Sequence, residues 1–301
     1  MGKINSRAGR FSSAAIMLAM TLGFSAACYK GQRKYPPADH SVYDIPYAKG
    51  IPGEEFLTLD AHWPAGARGL PVVMYIHGGG WTTGDKDQMD VWSKRIANRG
   101  YVVVNVNYRL APKYPFPAAV NDCLGALAWV KENAREYGGD PDRIGVTGGS
   151  AGGHLTAMVA TAARSPWLRP TGREDYHGSL SVKAQAPFFG VFDFNQPGFF
   201  ALTNIRQQFL GGGPGQVPEI YRQASPINYV RPDVPPTLIV VGKLDPIYDQ
   251  SRLYCRALKA AGANVELQTY AGKGHAFESY MWTKDSEDSF ERMIKFFDKR
   301  L

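Results

Sequence analysis

Cysteine is scarce in this 301-residue chain, with three in all, at positions 28, 123 and 255. A disulfide framework is therefore excluded as the main support of the fold. Cys123 and Cys255 lie in helix-like stretches, and neither has a His or Cys at metal-ligand spacing, so they read as buried free thiols and no metal site is expected. Runs of one charge are also missing. The formal net charge is +7, but Lys3, Arg7 and Arg10 sit among the first 27 positions, which hold no acid. Taking these three from the 34 basic residues and setting the rest against 27 acids leaves +4, scattered along the chain. That describes a mixed solvated surface and argues against nucleic acid as a partner. No period of about 20 to 50 residues recurs, which excludes a solenoid or propeller.

What is present suffices for one large domain: 301 residues of which 44% are hydrophobic can bury a substantial core without a second domain. Residues 1–27 read as a signal peptide, with a cationic start, the apolar stretch Phe11 to Phe24 and the small residues Ser25-Ala26-Ala27 before a cleavage point. The apolar stretch is short for a spanning helix, which needs about 20 such residues. Cys28 directly follows, and the pattern resembles a bacterial lipoprotein signal, except that Ser25 stands where that pattern usually has Leu. Two outcomes stay open: free export to the periplasm or medium, or membrane attachment through a lipid on Cys28. Residues 28–52, rich in Pro, Tyr and Lys and without sustained periodicity, read as an arm or linker, and 53–301 as the catalytic domain.

Within that domain strand-like and helix-like stretches alternate. Strands are expected over 54–63, 71–76, 101–106, 143–147, 182–189, 237–241 and 265–270, and helices over 91–98, 118–137, 155–160, 250–261 and 286–299. This alternation predicts an α/β fold with a mostly parallel central sheet and helices on both faces. Two long stretches, 164–178 and 194–231, read as irregular, and loops of that length usually wall or cover a site.

Two glycine-rich stretches carry the chemistry. Gly148-Gly149-Ser150-Ala151-Gly152 reads G-x-S-x-G between a short strand and a helix, the pattern of a nucleophile elbow, where small neighbours let a strained turn push the serine hydroxyl outward. His77-Gly78-Gly79-Gly80-Trp81 follows a buried strand, and its glycines free backbone N–H groups to face a developing oxyanion. Lacking G-K-[ST], it is not a phosphate loop. His77 is expected to organise this loop, and His154 to pack on the helix after the serine. Of the three histidines beyond Ser150, only His177 and His275 stand in loop-like surroundings, and only His275 follows the last strand. The chain order Ser, acid, His then asks for an acid after the preceding strand. Position favours Asp245, while Asp249 suits a helix start, where a carboxylate meets the positive end of the dipole.

The runs HGGGW, YRLAP (108–112), FPAAVNDC (116–123), DPDRIGVTGGSAGGHL (140–155), LDP (244–246) and GHAF (274–277), in this order, resemble the hormone-sensitive-lipase-like branch of the α/β-hydrolase superfamily. SPINYV (225–230) further resembles its bacterial feruloyl- and acetyl-esterase-like members. The resemblance implies an α/β-hydrolase fold from about Phe56 to the C-terminus, with Ser150 as nucleophile, Asp245 as acid and His275 as base. It also implies an oxyanion hole of Gly79, Gly80 and Ala151. One departure is Gly149, where many members carry Asp or Glu. The implied activity is a serine carboxylesterase working through an acyl-enzyme, with no cofactor. Its expected substrates are small-molecule or carbohydrate esters of short acyl groups (acetyl or aryl-acyl), because no long apolar lid helix is legible. Amidases, aryl-formamide hydrolases, peptidases and lipases use the same machinery. A non-catalytic binding protein would be expected to have lost a triad member.

Overall fold

The computed structural model describes residues 39–196 and 203–301, so residues 1–27, expected to be a signal peptide, and Cys28 lie outside the described residues. The chain runs through β1 (His40–Pro46), β2 (Thr58–Trp63), β3 (Leu70–Ile76), α1 (Asp90–Ala97), β4 (Val102–Val106), α2 (Ala118–Asn133), β5 (Gly139–Gly149) and α3 (Ala151–Ala162). It continues through β6 (Ala184–Phe188), α4 (Thr203–Leu210), α5 (Pro218–Gln223), β7 (Thr237–Gly242), α6 (Tyr248–Ala260), β8 (Val265–Tyr270) and α7 (Lys284–Asp298). The eight strands form one sheet in the order β1-β2-β4-β3-β5-β6-β7-β8. The first two pairings in that order are antiparallel and the remaining five parallel, which is the expected mostly parallel α/β architecture.

Both faces are covered, and strand alternation decides which residue serves which face. Val73, Val103, Leu238 and Val240 pack with Trp92 and Ile96 of α1 and with Phe290, Met293 and Phe297 of α7. Ile239, one residue out of phase, joins Ala157 of α3 and Tyr254, Cys255 and Leu258 of α6 on the opposite face. Strands buried on both sides are largely apolar, which is why VVMYI reads as an unbroken hydrophobic run, while VVVNV is interrupted only by Asn105 and TLIVVG carries Thr237 and Gly242 only at its ends. Cys123 and Cys255 are free and buried.

Four features depart from the sequence reading. The strand expected over 54–63 begins at Thr58, after a 3₁₀ turn over Glu54–Phe56. Residues 40–46, expected within an arm, form edge strand β1, whose short alternation is interrupted by an irregularity between Val42 and Ile45. Asp44 there has φ 56°. Residues 194–231, expected to be irregular, hold α4 and α5, which at eight and six residues are too short to show helical periodicity. They are secured by Phe209, Leu210 and Tyr221, all buried. The helix expected over 118–137 ends at Asn133, and a 3₁₀ turn over Ala134–Tyr137 tightens its last residues before Gly138 at φ 77°.

Candidate active site

The elbow sits where β5 meets α3. Ser150 has φ 57° and ψ −118°, a conformation that costs a non-glycine residue on the order of 1–3 kcal/mol and persists only when its surroundings impose it. They do so here by close backbone approach. A Cβ at Gly148 would stand 2.3 Å from the carbonyl oxygen of Ile76, and one at Gly152 2.1 Å from the same atom. The end of β3 thus presses on both sides of the turn. The Ser150 N–H donates to the carbonyl of Phe188 at 3.0 Å, which fixes the elbow to β6 as well.

The structure brings His275 and Asp245 to this serine. The Ser150 hydroxyl lies 2.9 Å from His275 Nε2, and His275 Nδ1 lies 2.8 Å from Asp245 Oδ2. A carboxylate only accepts, so Nδ1 carries the proton and Nε2 is free to accept from Ser150. The second carboxylate oxygen, Oδ1, accepts the N–H of Ile247 at 2.9 Å, holding the acid from both ends. Asp245 is buried and His275 partly exposed, so the array is dry at the acid and open at the serine end. The loops after β7 and β8 are laced together: Lys243 N–H donates to Tyr270 O and Leu244 N–H to Lys273 O, both at 2.8 Å. Asp249, by contrast, stands in the first turn of α6, four-fifths exposed, and pairs with Arg252 at 3.0 Å. His177 is exposed.

The glycine loop abuts the elbow. A Cβ at Gly78 would meet the carbonyl of Gly149 at 2.9 Å, and Gly79 and Gly80 have φ 107° and 61°, which glycine adopts without strain. Among the described residues nothing accepts a hydrogen bond from the N–H groups of Gly79, Gly80 or Ala151, the last at the start of α3. These are three unengaged donors around one serine. His77 and Tyr108 hold the loop in place, their rings stacked at 4.2 Å, with the Tyr108 hydroxyl donating to the His77 carbonyl at 3.1 Å. Burial lowers His77 to about 4, so it is neutral and structural.

His154 pins the same loop from the other side. Trp81 Nε1–H donates to His154 Nδ1 at 3.0 Å, so Nε2 carries the proton and donates to the carbonyl of Ala224 at 2.8 Å. Burial holds it neutral, its pKa lowered to about 4. Trp81 in turn stacks on Phe209 of α4 at 4.4 Å, and a Cβ at Gly80 would meet Ile205 Cγ2 at 2.9 Å, so α4 stands over the glycine loop. The YRLAP and FPAAVNDC runs meet in a buried ion pair: Arg109 Nη2 donates to Asp122 Oδ1 at 2.7 Å, and Thr171 Oγ1 donates to the same oxygen at 2.7 Å. Their role is to tie the loop after β4 to α2.

Sequence reasoning missed Glu278. It lies three residues beyond His275, and its carboxyl oxygen Oε1 is 3.2 Å from where a Cβ of Gly149 would be. An acid at that spacing is visible in GHAFES, but nothing in the sequence says that it is buried beside the elbow.

With the site assembled, the comparisons with known proteins fall into place. The family model described as BD-FAE matches residues 59–258, more than half of the chain. The chain belongs to this family. The BD-FAE chain is 36% identical over 261 residues to Esterase LipQ of Mycobacterium tuberculosis (strain ATCC 25618 / H37Rv), a match spanning 80% of this chain and 60% of that protein. It is 33% identical over 245 residues to Carboxylesterase NlhH of Mycobacterium tuberculosis, covering 77% of this chain and 74% of the relative. Among solved structures, Esterase B from Lactobacillus rhamnosis superposes with a TM-score of 0.78 at 22% identity, over 95% of this chain and 93% of that one, a likeness of fold. A hyperthermophilic esterase from the archeon Pyrobaculum calidifontis gives 0.70 at 28% identity, over 87% and 86%. A truncated carbohydrate esterase from gut microbiota gives 0.71 at 26%, over 88% and 99%. Family and relatives support a carboxylesterase-type hydrolase on an α/β-hydrolase fold.

Proposed function

We propose that this BD-FAE chain is a serine carboxylesterase that cleaves esters of short acyl groups through an acyl-enzyme, with Ser150 as nucleophile, His275 as base and Asp245 as orienting acid. The observation that carries the reading is the hydrogen-bonded chain from Ser150 through His275 to Asp245, built on a strained elbow. As Ser150 Oγ attacks the ester carbonyl, its proton passes to His275 Nε2, and Asp245 stabilises the imidazolium that forms. The carbonyl oxygen becomes an oxyanion, for which the N–H groups of Gly79, Gly80 and Ala151 are the preorganised donors. Collapse breaks the bond to the alcohol, which leaves with the proton from Nε2. A water, deprotonated by the same nitrogen, then attacks the acyl-enzyme, and the acid leaves as Ser150 recovers its proton.

Two features support short acyl groups and a bulky alcohol. Ile205 of α4 stands over Gly80, which narrows the space beside the proposed oxyanion donors. Leu244, next to Asp245 in the chain, and Tyr280 and Trp282, just past His275, are large apolar side chains left exposed, Trp282 by 70%. Aromatic faces of this kind suit the rings of a sugar or an aryl group. The proposal therefore includes acetylated or aryl-acylated carbohydrates as substrates. It also includes export with removal of residues 1–27, which the arm and any lipid on Cys28 would follow. Turnover of p-nitrophenyl acetate, butyrate and decanoate by the wild type and by Ser150→Ala, followed by acetylated and feruloylated polysaccharide fragments, tests it. Rapid hydrolysis of the short esters, abolished in the variant, is expected. Preference for the decanoate, or activity surviving in Ser150→Ala, would overturn it.

A further inference from the structure

Glu278 belongs to the 3₁₀ turn Phe277–Ser279 that follows the histidine loop, and only 5% of it is exposed. Its Oε1 and the ring of Phe189 occupy the space that a side chain at Gly149 would take, 3.2 Å and 2.9 Å from the Cβ position. Its Oε2 is buried without a hydrogen-bond partner, and among the described residues it forms no ion pair. The backbone of the turn is anchored, because Ser286 Oγ at the head of α7 donates to the Glu278 main-chain carbonyl at 2.6 Å.

A second carboxyl, Asp245, bears on Glu278 electrostatically. The two differ in partners: Asp245 faces the His275 ring and the Ile247 N–H, whereas Glu278 faces no cation. An isolated buried carboxylate beside another negative charge is strongly disfavoured, so of the pair Glu278 is the one that keeps its proton. The other titratable groups around it are Tyr75 of β3, itself a buried phenol, and His275 of the same loop. The nearest charges of α7 are engaged elsewhere, Asp285 with Lys273 at 3.0 Å and Glu287 with Arg95 at 2.7 Å. Burial first, then the charge of Asp245, raises Glu278 to about 8, against the pull of the backbone N–H groups of Glu278 and Ser279.

We propose that Glu278 is a positioning residue for the triad: a neutral carboxylic acid that fills the gap beside Gly149, braces the elbow against the histidine loop, and turns the site down when it releases its proton. The inference rests on the triad reading of Ser150, His275 and Asp245. Neutral, the carboxyl fills the gap without adding charge. Ionised by loss of its proton to water, it sets a second negative charge beside Asp245, opposing the oxyanion that must develop at the serine and breaking the dry packing.

The test is the pH dependence of kcat/KM for p-nitrophenyl acetate from pH 6 to 9.5, measured on the full chain for wild type, Glu278→Gln, Glu278→Asp and Ser150→Ala. The wild type is expected to lose activity through an alkaline limb centred at about pH 8. Glu278→Gln, which keeps the neutral shape, should hold its activity at pH 7 and lack that limb, while Glu278→Asp, which still titrates, should keep one. A wild type without a limb between pH 7 and 9 overturns the proposal even if no variant folds. So does a Glu278→Gln profile parallel to that of the wild type. Full activity in Ser150→Ala would instead remove the triad reading itself, so the two failures are told apart.

Discussion

At the scale of single residues, the two aspartates after β7 show how four positions separate an acid in the site from a surface charge. Asp245 is buried against His275, whereas Asp249 points from α6 into solvent toward Arg252. Asp245→Asn keeps the shape but removes the charge that stabilises the imidazolium and favours the wrong tautomer, and is expected to lower kcat by up to about 10⁴-fold. Asp249→Asn loses an exposed pair and a helix-start charge, together worth about 1 kcal/mol or less, with little change in turnover. Steady-state kinetics and urea unfolding of both variants check this. A loss of activity confined to Asp249→Asn would reverse the assignment.

At the scale of elements, α4 matters most, because in a stretch expected to be irregular it forms the wall above the glycine loop. Phe209 anchors it through the stack on Trp81, and Trp81 is anchored by His154. Ile205, one turn earlier on the same face, meets Gly80. Shortening that side chain deepens the site next to the proposed oxyanion donors. A hydrophobic pocket discriminates by about 1–3 kcal/mol per methylene. Ile205→Ala should therefore raise kcat/KM for p-nitrophenyl hexanoate relative to acetate by roughly 10-fold or more. The ratio of the two constants in wild type and variant reports the effect. An unchanged ratio would place the acyl group elsewhere.

At the scale of the whole molecule, three buried histidines set the acid limit. Burial lowers His62, His77 and His154 to about 4 from an ordinary value of 6.5. For His62 the nearby Asp90 opposes this shift without cancelling it. The folded state therefore binds fewer protons than the unfolded chain between these values, so the contribution of these histidines is complete above pH 6.5 and is lost as pH falls toward 4. Glu278 works in the opposite sense: raised from 4.5 to about 8, it leaves the folded state holding a proton that the unfolded chain has lost, and stability falls as pH rises between those values. Unfolding free energies from urea titrations across pH 4 to 9 should fall on both sides of an interior maximum. Replacing His154 with Gln should flatten the acid slope, and an unaltered slope would show that this histidine is not buried neutral.

Much of the molecule was legible before folding was considered. The apolar runs required strands covered on both faces, the glycines around Ser150 and after Ile76 required close backbone approach, and the chain order of Ser150, Asp245 and His275 matched one site. These are local properties, written in side-chain size, backbone freedom and spacing. What the tertiary structure alone decided concerns contacts between distant segments. β1 exists because β2 offers it an edge, and α4 because Phe209 and Leu210 find a buried seat rather than because eight residues favour a helix. The burial of Glu278 was decided in the same way, since its place beside Gly149 depends on packing across more than a hundred residues of chain. The sequence determined which groups are candidates for the chemistry; the fold determined which of them are buried together, because burial depends on contacts between segments far apart in the chain.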